Sequence, residues 1–200
     1  TYFVGPDGPA GPEYDLVRGF ADHLGVELVI ESVDNVSEIM PYLLSGKAHM
    51  AAAGLSVTDS RREYLDFGYP YETVDMHLIY KLGTGKPQKM EDVVGRPIEV
   101  VADSSHSEMV QSLQEIYPGL VWSQNADDEV ADLLAKVARG EIDFTIADST
   151  EFNIQRHFYP DLRVALDLKI DDPLAWAYRR KDGSSLLERA DNYLINADRR

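Results

Sequence analysis

Two stretches of this chain carry charges of opposite sign next to apolar runs. Gly54-Leu55-Ser56-Val57-Thr58-Asp59-Ser60-Arg61 follows the run Ala48 to Ala53 and ends in a guanidinium, whereas the stretch Asp143 to Asp148 ends in a carboxylate. Two such charges facing one cleft would each need a counter-charge, and a zwitterion supplies both. The residue types therefore point to capture of an amino acid or a peptide. A planar guanidinium fork suits a carboxylate. Arg62 could make that contact instead of Arg61, or either arginine could be a surface charge pairing with Glu63 or Asp66. Asp148 could receive an ammonium group or could simply cap a helix starting at Ser149. Ser104 and Ser105 precede a predicted helix, where hydroxyls and free N–H groups could grip an anion, although plain capping accounts for them almost as well.

Enzymatic constellations are weak. Ser105-His106 are sequence neighbours, which does not make a nucleophile and its base without spatial alignment and a third orienting group. The five histidines, at 23, 49, 77, 106 and 157, show no metal-ligand spacing. Asp127-Asp128-Glu129 reads as a helix opening, where negative charge complements the dipole, rather than as a calcium loop. There is no phosphate loop and no dinucleotide glycine pattern, so no cofactor or metal is expected.

The elements that must position Arg61 and Asp148 alternate between helix and strand. Glu13 to Leu24 places Leu16, Val17, Phe20, Ala21 and Leu24 on one helical face, and Gly25 stops it before the β-rich run Val26 to Ile30. Val36 to Ser45 reads as a second helix despite Pro41, and Ala48 to Ala53 as a short buried strand. A strand follows at Met76 to Tyr80, then a break marked by Gly83, Gly85 and Pro87. Beyond it come strand Ile98 to Val101, helix Ser105 to Ile116, strand Leu120 to Ser123 and helix Asp127 to Arg139. Strand Ile142 to Ala147, helix Thr150 to Phe158, strand Leu162 to Leu168 and a final helix Leu186 to Ile195 complete the pattern. This alternation predicts an α/β protein with largely parallel sheets. Tyr14, Phe20, Phe144 and Trp176 fall on patterned elements and are expected in the core. Leu43 to Gly54 and Val137 to Asp148 share a helix end, a stopping glycine, a polar pair and a buried strand, as two related α/β lobes would. Ligands collect beyond the carboxyl ends of such strands, which makes Gly54 and Asp148 the expected mouth positions.

Composition narrows the partners. Two hundred residues that are 44% hydrophobic suffice for one good core or two smaller ones. A formal net charge of -16 disfavours nucleic acid and anionic membrane surfaces, where Lys and Arg must displace counterions. With no cysteine, disulfides, zinc thiolates and cysteine nucleophiles are excluded. No apolar run approaches the ~20 residues of a membrane span. Thr1-Tyr2-Phe3 runs straight into the turn-rich Gly5 to Pro9, which suggests that a preceding strand and any targeting segment lie outside these residues.

Gly11-Pro12-Glu13-Tyr14-Asp15-Leu16, then Gly54 to Arg61, Asp66-Phe67 with Pro70-Tyr71, Gly95, Ser104-Ser105 and Gly140 through Asp148 form an ordered series along the whole chain. It resembles the landmarks of the type 2 periplasmic solute-binding fold. Within that group, Phe20 to Val26, Thr145 to Ser149 and Pro160 to Asp167 are most similar to the non-catalytic N-terminal domain of the membrane-bound lytic murein transglycosylase F family. The loop at Ser104 lacks the family's usual glycine.

The resemblance implies two α/β lobes joined by a two-strand hinge with a ligand cleft between them. Lobe one would be residues 1–75 plus 173–200, and lobe two residues 76–172. It makes Arg61 the carboxylate-binding residue and Asp148 the ammonium-binding acid, adds Ser56 with the backbone of Gly54 and Leu55, and places Tyr2, Tyr69 and Tyr71 around the cleft. It further implies a domain that senses peptidoglycan-derived peptides or amino acids and controls an attached catalytic domain outside this chain. Such a protein would sit in the periplasm on the inner face of the outer membrane. Glu31-Ser32 is superficially similar to the catalytic Glu-Ser of lytic transglycosylases but stands at a strand end without the surrounding motif. A free-standing amino-acid receptor of an ABC transporter, and an enzyme of cyclohexadienyl dehydratase type on the same fold, are the alternatives.

Overall fold

The first helix shows how local chemistry sets an element. In this computed structural model, which describes residues 3–5, 8–180 and 184–198, α1 spans Pro12–Leu24 with proline in its first turn and Glu13 and Asp15 beside the positive end of the dipole. Gly25 ends it at φ 69°, the left-handed cap that glycine adopts without a Cβ penalty. Before it, β1 (Phe3–Gly5) and β2 (Gly8–Ala10) pair antiparallel. After it come a 3-10 turn at Val36–Glu38, α2 (Ile39–Leu44), α3 (Asp59–Arg62), β3 (Leu65–Phe67) and β4 (Glu72–Lys81). The order continues with β5 (Ile98–Val101), α4 (Ser105–Ile116), β6 (Trp122–Asn125), α5 (Val130–Arg139), β7 (Thr145–Asp148) and α6 (Ser149–Gln155). It closes with β8 (Leu162–Leu174), β9 (Ala177–Arg179) and α7 (Ser184–Asp198).

The chain divides into two compact units. One comprises residues 1–34, 38–73 and 173–200, the other residues 35–37 and 74–172. In the first, the segment 173–179 is bonded on both edges. Leu55 and Val57 flank one edge through Ala175 N to Leu55 O and Val57 N to Pro173 O, each 3.1 Å. The other edge meets β3 in an antiparallel pair that sets Phe67 opposite Ala177. Trp176 and Tyr178, both fully buried, anchor a core with Val17 and Phe20 of α1 and Ala190 and Leu194 of α7.

The second unit is a mixed sheet with helices on both faces. β5 and β6 run parallel, and a parallel bridge from Ile98 to Phe144 ties β5 to the residue that leads into β7. β7 then pairs with β4, and β4 neighbours β8. Strand alternation sorts the side chains. Met76, Leu78 and Tyr80 join Phe144, Ile146 and Val110 of α4 in one core. Ile79 and Ala147 point the other way, to Leu134 and Val137 of α5 and Phe152 of α6.

Several expectations are corrected here. The sheets are not largely parallel: β4 runs antiparallel to β7, with Met76 opposite Asp148, because β4 enters from the other unit rather than through a βαβ crossover. Val26 to Ile30 forms no ladder among the described residues; Val26 N bonds back to Ala21 O at 3.1 Å, and Val26, Val29 and Ile30 are exposed. β propensity without a bonded neighbour strand does not make a strand. Tyr14 is only half-buried, whereas Phe20, Phe144 and Trp176 are in the core as expected. Among the described residues, no helix is long and apolar enough to cross a membrane.

Candidate functional site

Thr58 begins the local structure that holds Arg61. Its extended backbone and hydroxyl cap α3, accepting from Arg61 N at 3.3 Å, as a threonine does at the start of a helix. The Arg61 side chain turns back and donates from Nη1 to the Ser56 carbonyl at 2.8 Å, and the residue is buried. Arg62 is exposed. Burial of a guanidinium is tolerated because its fixed fork of donors finds acceptors. Ser56 is itself buried and bridges to Leu174 in antiparallel fashion. The Leu55 carbonyl, part of the backbone that the resemblance adds to the site, accepts from Ala175 N at 3.1 Å.

Gly54 sits at φ 61°, the left-handed conformation that glycine adopts readily. Its N–H donates to Glu13 Oε1 at 3.1 Å, and the Tyr71 hydroxyl donates to the same oxygen at 2.5 Å. Glu13 is buried. It thus clamps the start of the Gly54 to Arg61 segment to the loop carrying Tyr71. Burial, and then the Glu13 charge, push the Tyr71 phenol well above its ordinary range. Tyr71 also packs 6.1 Å, centroid to centroid, from Trp176, so its ring belongs partly to the core. Tyr2 lies outside the described residues.

In the second unit, Ser104 caps α4. Its hydroxyl accepts from Ser107 N at 3.2 Å and donates to Val101 O at 2.6 Å, and Ser107 Oγ accepts from Ser104 N at 3.1 Å. The Ser104 side chain is therefore committed to the capping box. Ser105 is half-buried at the first position of the helix, where backbone N–H groups have no intrahelical acceptor.

Asp148 occupies the N-cap position of α6 yet makes no side-chain capping bond. Its Oδ1 lies 2.9 Å from Nε2 of His106 in the first turn of α4. The Ser149 hydroxyl instead accepts from Asp75 N at 3.1 Å. The helix-capping alternative for the Asp148 carboxylate therefore does not describe what this side chain does. Sequence reasoning set His106 aside with Ser105 as an unaligned pair; its place two residues past a capping serine was the available signal.

At the carboxyl end of β5, Val101, Glu129, Val130, Ala131 and Glu151 line a cavity of about 250 Å³, where ligands of open α/β sheets collect. Among the described residues, no cluster of His, Cys, Asp or Glu could hold a metal ion.

A mixed β-sheet covered by helices in the second unit, and a strand shared between two edges in the first, define a type 2 periplasmic binding protein fold. It is shared by solved structures described as holo ArgBP from T. maritima, with TM-score 0.86 and 25% identity over 98% of this chain and 84% of that one. An ancestral arginine-binding protein bound to arginine superposes with TM-score 0.87 at 23% identity, covering 99% of this chain and 87% of that one.

The profile of the bacterial extracellular solute-binding proteins, family 3, matches residues 1–192, and the chain belongs to that family. It is also 38% identical over 193 residues to a membrane-bound lytic murein transglycosylase F of Saccharophagus degradans (strain 2-40), covering 96% of this chain and 38% of that protein. The chain thus spans about two fifths of the length of the curated relatives it matches.

Proposed function

We propose that this chain is a non-catalytic ligand-binding module that captures the head group of an amino acid or of a peptidoglycan-derived peptide. The observation that supports this best lies within the second unit. One imidazole joins the first turn of α4, where a carboxylate is favoured, to Asp148, which favours an ammonium group. An α-amino acid carries those two charges on neighbouring atoms. Arg61, Ser56, the Gly54 and Leu55 backbone and Tyr71 are the proposed ligand contacts of the first unit, and Ser104 and Ser105 join Asp148 as those of the second; Tyr2 is a further candidate outside the described residues.

In a longer protein, we take this module to report wall-derived ligands to an attached peptidoglycan-cleaving domain in the periplasm, at the inner face of the outer membrane. The relatives' name, membrane-bound lytic murein transglycosylase F, supports the attached peptidoglycan-cleaving domain and a place at a membrane. Control would operate as a shift of population toward the ligand-bound form. The second reading, an amino-acid receptor for a transporter, is favoured by the arginine-bound neighbours.

Thermal shift against free amino acids, stem peptides and muropeptides tests the proposal, since a ligand of the native state raises the melting temperature by mass action. Stabilisation by wall-derived peptides supports the sensor, and stabilisation by one free amino acid alone supports the receptor. Silence across the whole panel overturns both.

A further inference from the structure

His106 has a geometry that capping and core packing leave unexplained. Its side chain is 7% exposed and that of Asp148 24%. Nε2 meets Asp148 Oδ1 at 2.9 Å, while Nδ1 is buried with no hydrogen-bond partner among the described residues. A carboxylate oxygen can only accept, so the proton shared with it resides on Nε2 of the ring. A second proton on Nδ1 would be a buried donor with nothing to receive it, whereas a bare Nδ1 is the less costly arrangement. The singly protonated Nε2–H tautomer therefore fits this pocket.

What this bond does to Asp148 follows from its place in the fold. An aspartate at a helix N-cap ordinarily turns its oxygen onto the N–H groups of its own first turn. Asp148 has the extended backbone of that position, φ -73° and ψ 151°, but its side chain makes no cap bond. We propose that His106 is a positioning residue: it holds Oδ1 of Asp148 away from the α6 cap and leaves the carboxylate charge poised for the ammonium group of a bound α-amino acid or peptide. A neutral donor fixes the rotamer without cancelling the negative charge, which a lysine or arginine in the same place would do. This rests on the reading of Asp148 as the ammonium-binding acid. It gives the α4 segment a second task besides presenting its N-terminus, because the residue that orients the acid stands two positions after the Ser104 cap.

Two measurements test it. Without ligand, long-range 1H–15N correlation spectra of the whole chain should show His106 with a bare Nδ1 and a protonated Nε2, and Asp148→Asn should shift both nitrogens. An Nδ1–H tautomer, or spectra indifferent to Asp148→Asn, would overturn the hydrogen bond and the proposal with it. With ligand, L-arginine and an amine-terminated stem tripeptide are titrated calorimetrically into the wild type, His106→Leu and His106→Gln. Leucine removes the donor, and binding of whichever probe the wild type takes should weaken on the order of tenfold. Glutamine returns an N–H donor at similar reach and should recover most of that loss, which a purely space-filling role for the ring would not predict. Unchanged affinity in His106→Leu, or glutamine no better than leucine, overturns the positioning role. If the spectra come out as expected but the wild type takes neither probe, the ligand reading of Asp148 fails while the His106–Asp148 bond stands.

Discussion

Replacing Tyr71 with phenylalanine removes one oxygen from a buried contact and keeps the ring. In the fold that oxygen donates to Glu13 Oε1 at 2.5 Å, and the same carboxylate oxygen also receives Gly54 N at 3.1 Å. A hydrogen bond to a charged group contributes about 1.5–3 kcal/mol, so Tyr71→Phe should destabilise the first unit by that amount at neutral pH. The alkaline behaviour is more diagnostic. Burial and the Glu13 charge raise the Tyr71 phenol, and burial followed by the Asp191 charge raises that of Tyr178. A raised folded pKa means that the unfolded chain loses its proton first. The associated stability is thus fully present below about pH 10, the unfolded value, and is lost as pH rises above it. Each such phenol contributes a limiting slope of about 1.4 kcal/mol per pH unit in that window, so Tyr71→Phe should lower the alkaline slope by about that amount. Urea denaturation between pH 8 and 11.5 measures this, with fluorescence of Trp176, which is fully buried in the same core, as the probe. Identical alkaline slopes for wild type and variant would refute the reasoning, and so would a variant equally stable at neutral pH.

Arg61→Lys keeps the charge but loses the fork and its bond to the Ser56 carbonyl, so carboxylate probes should weaken at least tenfold in calorimetry while circular dichroism shows the fold retained. Asp148→Asn should weaken amine-bearing probes and leave their N-acetylated forms unchanged; equal losses for both would remove Asp148 from ammonium recognition. Phe144→Ala empties a fully buried site under the Arg96 guanidinium, 4.4 Å from the ring centroid, and should cost about 3–5 kcal/mol in denaturant unfolding.

Much of the local architecture is written within a few residues of itself. The apolar stripe of α1 and its Gly25 stop, the span of α4 from about Ser105 to Ile116, β5 at Ile98 to Val101 and the Gly140 end of α5 follow from side-chain period, capping and left-handed glycines. These depend on hydrogen bonds that span three or four positions, so composition and spacing suffice to read them. The ordered landmarks from Gly11 to Asp148 likewise carried the family, because they are a linear pattern.

Pairings between distant residues were decided by the tertiary structure. Val26 to Ile30 has strand propensity but no bonded neighbour among the described residues, and propensity alone cannot supply one. β4 runs antiparallel to β7 because of where the chain enters the sheet, which no property of Met76 to Tyr80 specifies. Arg61 turns inward onto Ser56 as well as ending a charged motif, and Glu13 reaches Gly54 across 41 residues. Asp148 looks from its sequence neighbours like a helix cap. Only the packing of α4 against the end of β7 brings His106, 42 residues earlier, to its carboxylate, and a hydrogen bond at that separation leaves no trace in local spacing.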